Sequence, residues 1–453
     1  MRYEEYIKTP EAVWFSSVPA DWRATKMREV FSERNAKVSD KDYPALSVGK
    51  LGVTPQLDTA VKTDNGDNRK LICKGDFAIN SRSDRKGSSG ISQYDGSASL
   101  IITVLKPHHE LNGRFYHYLL RSHYFVEEFY RNGHGLVSDL WTTKWDEMRN
   151  IYIPVPPREE QDQIVRYLDW KVSCINKLIH GYQRQIKLLE ERYTSMVTEA
   201  VVHGIDEDAH LVDVNIQGFD RIPDTWKVVQ NKRIFRERSE VSKTGNETLL
   251  SVSKRFGVKP YNELEESERL ATIKPADSLV GYKKVSVGNL AMNIMRARNG
   301  SYGISDYEGI VSPAYCVYEL VMPTDSRYIH YLLKTPQVIS LFEAYSYGIC
   351  EHRRRLYAPD FLRLYLPIPP VEEQKEIADY IAVEEKRKHN LIKQLEKQIS
   401  LLREYRTRLI SDVVTGQMDV RSIFIPDYTP EDDTEENEAD EETTDEEVNM
   451  DAD

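Results

Sequence analysis

The side chains best equipped for chemistry sit in four basic turns. "NSRSDRKGSSG" (Asn80 to Gly90) carries Arg82, Ser83, Arg85, Lys86 and Ser88, and "NIMRARNGSYG" (Asn293 to Gly303) carries Arg296, Arg298, Asn299 and Ser301. "GHGLVSDLWTTKW" (Gly133 to Trp145) holds Lys144, and "YGICEHRRRLY" (Tyr347 to Tyr357) holds Arg353, Arg354 and Arg355, the densest basic cluster in the chain. A guanidinium can pair bidentately with a guanine edge, an amide with adenine, and N–H groups in Gly/Ser turns with phosphate. A solvated turn would explain any one of these loops. Four loops in matching places favour a nucleic-acid ligand.

Catalytic patterns are missing. There is no Walker A sequence, GxSxG elbow, HExxH or paired CxxC, and no N/D-P-P-Y/F tetrapeptide of the amino-methyltransferase type. "SDRK" at Ser83 lacks the partner acids of a nuclease. His108-His109 and the "CEH" at Cys350 are isolated from other ligands, and the four cysteines share no close spacing. The chain is therefore expected to be non-catalytic and metal-free, with reduced thiols.

The elements that position the loops are written twice. "IPVPPREEQDQIVRYLDW" from Ile153 returns as "LPIPPVEEQKEIADYIAV" from Leu366, a shift of 213 residues. The same shift lays "GDFAIN" (Gly75) over "GNLAMN" (Gly288) and the first loop over the second. It also lays the Gly133 loop over the Tyr347 loop. Toward the N-terminus the shift falls to about 204, where "VPADWRATKMREVFSER" mirrors "IPDTWKVVQNKRIFRER". Each unit begins with short β-rich runs and helices such as "GRFYHYLLRSHYFVEEFYRNG", a mixture that reads as an α/β domain whose strand order is not legible. Each ends in a long helix. Pro156-Pro157 and Pro369-Pro370 set the first turn, Glu159-Glu160 and Glu372-Glu373 suit the helix dipole, and Gly204 and Gly416 suit left-handed caps.

Along these helices the apolar spacing is heptad-like. Leu168, Ile175, Tyr182 and Leu189 form one seam, and Ile381, Leu395, Leu402 and Leu409 the other, with Glu385, Lys388 and Arg406 as lapses. The expected class is α+β: two similar α/β domains joined by two long helices, paired antiparallel as a coiled coil in a pseudo-two-fold repeat. The expected divisions are 1–155, first domain; 156–205, central helix; 206–217, linker; 218–368, second domain; 369–418, distal helix; and 427–453, a disordered acidic tail. From Glu431 onward the tail has fourteen acidic residues and no basic one. It accounts for the net charge of −12: without it, 61 basic residues face 59 of the 73 acidic ones. The N-terminus has no signal-peptide pattern and no apolar run is long enough to span a bilayer, so a cytoplasmic location is expected.

This organisation resembles the specificity subunit of type I restriction–modification systems. The resemblance rests on "IPVPPREEQDQI" and "LPIPPVEEQKEI", on the endings "LLEERYTSMVTEAVVHGID" and "LLREYRTRLISDVVTGQMD", and on the starts "VPADW" and "IPDTW". It spans the chain except the acidic tail. It implies two target recognition domains that each read half of a bipartite DNA sequence, and paired helices that fix the spacer and dock two methyltransferase subunits. Those subunits would bring S-adenosylmethionine, and restriction subunits ATP and Mg. This chain itself would need no cofactor. The loop residues named above rest on the physical reading alone. The alternative from another class is a non-catalytic protein-interaction scaffold without sequence-specific DNA binding.

Overall fold

The computed structural model describes residues 2–50, 52–56, 66–82, 87–108, 111–135, 141–264, 278–348 and 354–431. Two compact units divide them. One comprises the chain up to Gln183 together with the segment from Leu395; the other is Arg184–Gln394.

In the first unit a four-stranded antiparallel sheet has the order Ser89–Ile91, Phe77–Asn80, Ile102–Pro107, Phe31–Glu33. In the second unit the order is Tyr302–Ile304, Leu290–Asn293, Tyr315–Leu320, Phe235–Arg238. The registers coincide after the sequence shift: Ile102 faces Asn80 where Tyr315 faces Asn293, and Ser89 faces Ile79 where Tyr302 faces Met292. The "FAIN" and "LAMN" strands are buried throughout because both sheet faces are covered. Leu290, Met292 and Tyr318 pack with Tyr328, Ile329, Leu332 and Phe342 from the helices Ser326–Leu333 and Pro336–Ala344. On the opposite face Ala291 and Val317 meet Leu250, Val252 and Val311, as Ala78 and Val104 meet Leu46 and Val53 in the first unit.

The long helices are Arg158–His203 and Val371–Val414, each ended by a glycine with positive φ: Gly204 at +85° and Gly416 at +73°. Within the first unit the start of one helix lies beside the end of the other, since Tyr3 bonds Glu160 and Tyr6 donates to the Gly416 carbonyl. Farther along, Arg406 donates to Asn176 at 2.5 Å, so the two run antiparallel. Within the second unit Gly204 lies against Glu373, and Lys388 sits 3.9 Å over the Tyr193 ring. The heptad lapses Arg406 and Lys388 are thus polar contacts across the helix pair. Leu168, Ile175, Ile381 and Leu409 are buried; Tyr182, Leu189, Leu395 and Leu402 are half-buried, as a bare helix pair dictates. The segment expected to link helix and second domain contributes a strand, Leu211–Ile216, paired with Phe219–Pro223. Of the acidic tail, residues up to Glu431 are described and lie on the first long helix; 432–453 fall outside the described residues.

The repeated "EEQ" of each helix start has a structural cause. Gln161 is buried, accepts the Asn112 N–H at 3.1 Å and donates to the Pro156 carbonyl at 2.9 Å. Gln374 repeats this with Asp325 N–H and Pro369 carbonyl, both at 2.9 Å. Asn112 and Asp325 are the N-caps of the domain helices Gly113–Arg121 and Ser326–Leu333. One glutamine therefore bolts each long helix to its own domain.

Candidate nucleic-acid interface

The four basic turns become two paired sites. In the first unit Thr143 N–H donates to the Ser81 carbonyl at 3.0 Å, and Thr142 bridges both Arg82 and His134. In the second unit Leu356 N–H donates to the Ile294 carbonyl at 3.0 Å, and Arg355 bridges Tyr347. These are the same backbone bonds moved by 213 residues, and they join loops more than fifty residues apart in sequence.

Arg82 and Lys144 are both exposed and line one open depression with Ser81, Thr142, Lys70, Glu33 and Asp146. Glu33 is already paired with Lys70 at 3.1 Å. Ser88 is buried, with its carbonyl accepting the Asn80 N–H, so its hydroxyl is turned from solvent. Ser83, Arg85 and Lys86 lie outside the described residues, as does Arg353. In the second unit the turn Ala297–Asn299 closes on Gly300 at φ +83°, a left-handed position that favours glycine. Arg296 and Asn299 are exposed on it, Arg298 is half-buried, and Ser301 is buried with its carbonyl accepting from Asn293. Arg354 is half-buried and Arg355 exposed. The structure thus groups Arg82 with Lys144, and Arg296, Arg298 and Asn299 with Arg354 and Arg355; the two buried serines shape the turns from beneath.

Sequence reasoning missed a second set of cations. The hairpin Leu250–Ser253/Gly257–Pro260 carries exposed Lys254 and Arg255 at its tip, and Lys254 lies against Gly300. Lys334 donates to the Gly300 carbonyl at 2.5 Å and sits 4.6 Å over the Tyr302 ring. Burial, then the Lys254 charge, pushes the Lys334 ammonium down to about 8. In the first unit the counterpart Arg121 donates to the Lys50 carbonyl of the equivalent hairpin tip and to His117 Nε2 at 2.9 Å. His117 and His330 are equivalent residues, half-buried beneath these tips; burial, then the neighbouring cations Arg121 and Lys334, lowers their pKa to about 3 and about 4. The signal available was a two-residue basic turn between alternating strands, and "SVSKRFGVKP" has it.

Among the described residues no group of three or more His, Cys, Asp or Glu is placed to hold a metal ion, and no helix is long and apolar enough to cross a membrane. Cys73, Cys174 and Cys316 are free thiols.

The family model described as "Type I restriction modification DNA specificity domain" matches residues 19–188 and again 223–401, one match per unit of the repeat. The type I restriction enzyme MjaX specificity subunit of Methanocaldococcus jannaschii is 22% identical over 436 residues, covering 88% of this chain and 96% of that protein. The MjaVIII specificity subunit of the same organism is 25% identical over 291 residues, covering 60% of this chain and 64% of its own. Among solved structures, a chain from work on complex assembly and conformational transition of the type I R-M system superposes with a TM-score of 0.63 at 14% identity, over 88% of this chain and 99% of that one. The HsdS subunit from Thermoanaerobacter tengcongensis superposes with a TM-score of 0.50 at 16% identity, over 91% and 100%. These two likenesses are likenesses of fold. With the doubled match covering most of its length, this chain belongs to the type I restriction–modification DNA specificity family.

Proposed function

We propose that this chain reads a bipartite DNA sequence, one half with each domain, and directs adenine methylation and restriction by partner subunits without catalysing either reaction. The observation that carries the reading is the pair of loop sites. Their backbone hydrogen bonds are the same in both units, while the exposed side chains differ: Arg82 and Lys144 in one, Arg296, Asn299 and Arg355 in the other. One framework with two sets of donors suits two different half-sites. The long helices set the spacing between half-sites and seat two methyltransferase subunits, which supply S-adenosylmethionine; restriction subunits supply ATP-driven cleavage.

Genome-wide adenine methylation mapping tests this, in a host carrying the gene and its neighbouring methyltransferase gene against a deletion of this gene alone. A bipartite motif with a fixed spacer should vanish on deletion. Arg82→Ala should relax specificity in one half-site and Arg296→Ala in the other. Methylation that is unchanged by deletion, or relaxed equally in both halves by either substitution, would refute the proposal. DNA affinity should also fall steeply with salt, as phosphate contacts require.

A further inference from the structure

Both long helices carry large apolar side chains that stay uncovered among the described residues, at positions related by the same shift of 213. Leu178 and Leu391 are 52% and 47% exposed, and Leu188 and Leu401 are 62% and 48% exposed. Scattered exposed leucines are ordinary; repeat-equivalent pairs on helices form a duplicated apolar stripe. On the second helix the stripe extends through Tyr380 and Val383, 40% and 53% exposed. On the first helix it stops short, because Tyr167, the equivalent of Tyr380, is only 2% exposed.

The chain beyond Gly416 covers that part of the first helix. The Tyr167 hydroxyl meets Met418 Sδ at 4.0 Å. Gln163 Nε2 donates to the carbonyls of Val420 and Ile423, both at 3.0 Å. Ser173 Oγ donates to the Thr429 carbonyl at 3.4 Å and accepts the Glu431 N–H at 2.8 Å, and the Glu431 carboxylate lies 3.2 Å from His180 Nδ1. Residues 418–431 therefore form a strap along Gln163–His180, roughly 25 Å of helix at ~1.5 Å per residue. The seat is written into one copy only. Ser173 and His180 are buried beneath the strap, whereas the second helix has exposed Lys386 and Lys393 at the equivalent positions. Burying those ammonium groups under a peptide would cost their hydration.

We infer that the C-terminal strap occupies part of the first-helix face and so makes the two repeat-related seats for the partner subunit unequal. The partner binds the second-helix face first and must displace the strap to bind the other. This rests on the reading of the helices as the seat of the methyltransferase subunits. The two faces differ because the chain beyond Gly416 runs back along the first long helix, while beyond Gly204 it enters the strand Leu211–Ile216 and leaves Ile205 exposed.

The test titrates the methyltransferase subunit encoded beside this gene into four purified proteins: the full chain, a chain ending at Glu431, a chain ending at Val420, and Ser173→Lys/His180→Lys. Calorimetry reads the affinities and analytical ultracentrifugation the stoichiometry. The full chain and the chain ending at Glu431 should bind two copies with dissociation constants at least about tenfold apart. The chain ending at Val420 and the double variant should bind two copies with nearly equal constants, the weaker site having tightened. Leu391→Ser in the full chain should weaken the tighter site. Two equal sites in the full chain would overturn the inference while leaving the proposed function standing. So would weaker binding on removal of the strap, which would make Phe424, 84% exposed within it, a docking element instead. Failure of all four proteins to bind the methyltransferase subunit would refute the docking reading itself.

Discussion

Gln161→Leu tests whether one buried amide joins each long helix to its domain. The native side chain satisfies the Asn112 N–H through Oε1 and the Pro156 carbonyl through Nε2. Leucine removes both partners and leaves the half-buried Asn112 N–H and the buried Pro156 carbonyl unpaired, each costing about 1–3 kcal/mol. The added apolar surface returns about 1 kcal/mol. The net loss is then about 1–5 kcal/mol for the first domain, which lowers its urea midpoint by about 0.5–2.5 M at an m-value of about 2 kcal/mol/M. Tryptophan emission reports on this domain, since Trp14, Trp22, Trp141, Trp145 and Trp170 belong to the first unit and Trp226 alone to the second. Gln161→Glu separates the two bonds: at neutral pH the carboxylate still accepts from Asn112 but sets a buried anionic oxygen against the Pro156 carbonyl, so the loss should at least match that of leucine and should shrink on acidification, when the carboxyl can donate again. In the second copy Gln374→Leu should accelerate hydrogen exchange at the Asp325 amide. A loss below about 0.5 kcal/mol for Gln161→Leu, within the ordinary range of surface substitutions, would refute the bolt and leave the repeated "EEQ" without a structural cause.

Acid should loosen both domains through His117 and His330. Their folded pKa values of about 3 and about 4 lie below the ordinary value of 6.5, so the unfolded chain binds more protons and stability falls as pH drops below 6.5. Between pH 8 and pH 5 each histidine should remove about 2 kcal/mol from its domain. His117→Gln should flatten that part of the first domain's pH dependence, measured by urea unfolding at both pH values; an unaltered slope would show that His117 is not the titrating group. Arg34 and Asp76 form a two-bond ion pair at 2.6 and 3.0 Å, with Asp76 buried. The second copy uses Arg238 and the neutral Asn289 at 3.3 Å. Asp76→Ala, which strands the guanidinium, should cost about 3–5 kcal/mol. Asp76→Asn, which copies the other domain, should cost less than half as much by thermal unfolding, and equal costs would refute the equivalence.

The parts of this fold that were legible in the sequence are those written in backbone terms. The 213-residue shift transfers strand registers, caps and loop-to-loop hydrogen bonds intact, because proline starts, glycine stops and buried apolar runs act locally. Strand order was not legible. The strands are two to six residues long and, outside the local hairpins, many pair with partners tens of residues away, so no periodicity names the neighbour. The loop serines show a different limit. Ser88 and Ser301 read as surface donors, yet both are buried at the start of a sheet edge, because a small hydroxyl suits a turn and a crowded interior equally. Lys334 escaped notice because only the packing of the Gly257 hairpin over His330 places it beside Gly300. The strap is illegible for a related reason: an extended segment with no ladder and no repeat has no pattern until the helix beneath it is seen.

The comparison between copies separates what the scaffold requires from what it is free to vary. The glutamine bolts, the paired loop bonds and the sheet registers are the same in both. The pairing at Arg34 changes both chemistry and geometry: Arg34 forks onto buried Asp76, whereas Arg238 reaches neutral Asn289 through one nitrogen at 3.3 Å and pairs with Glu240 at 2.8 Å. The extra residues of the second copy fall between Pro260 and Lys283, against Pro55 to Arg69 in the first, outside the four-stranded sheet. The exposed side chains on the paired loops match almost nowhere. Selection for stability alone would not divide the differences this way, since surface loops far from special contacts tolerate substitution without preferring paired basic turns. A framework held constant under two different sets of guanidinium and amide donors is what reading two different sequences with one fold requires. Exchanging the Asn293–Gly303 and Tyr347–Tyr357 loops together into the first domain should therefore carry the second half-site preference with them, and exchanging either loop alone should not.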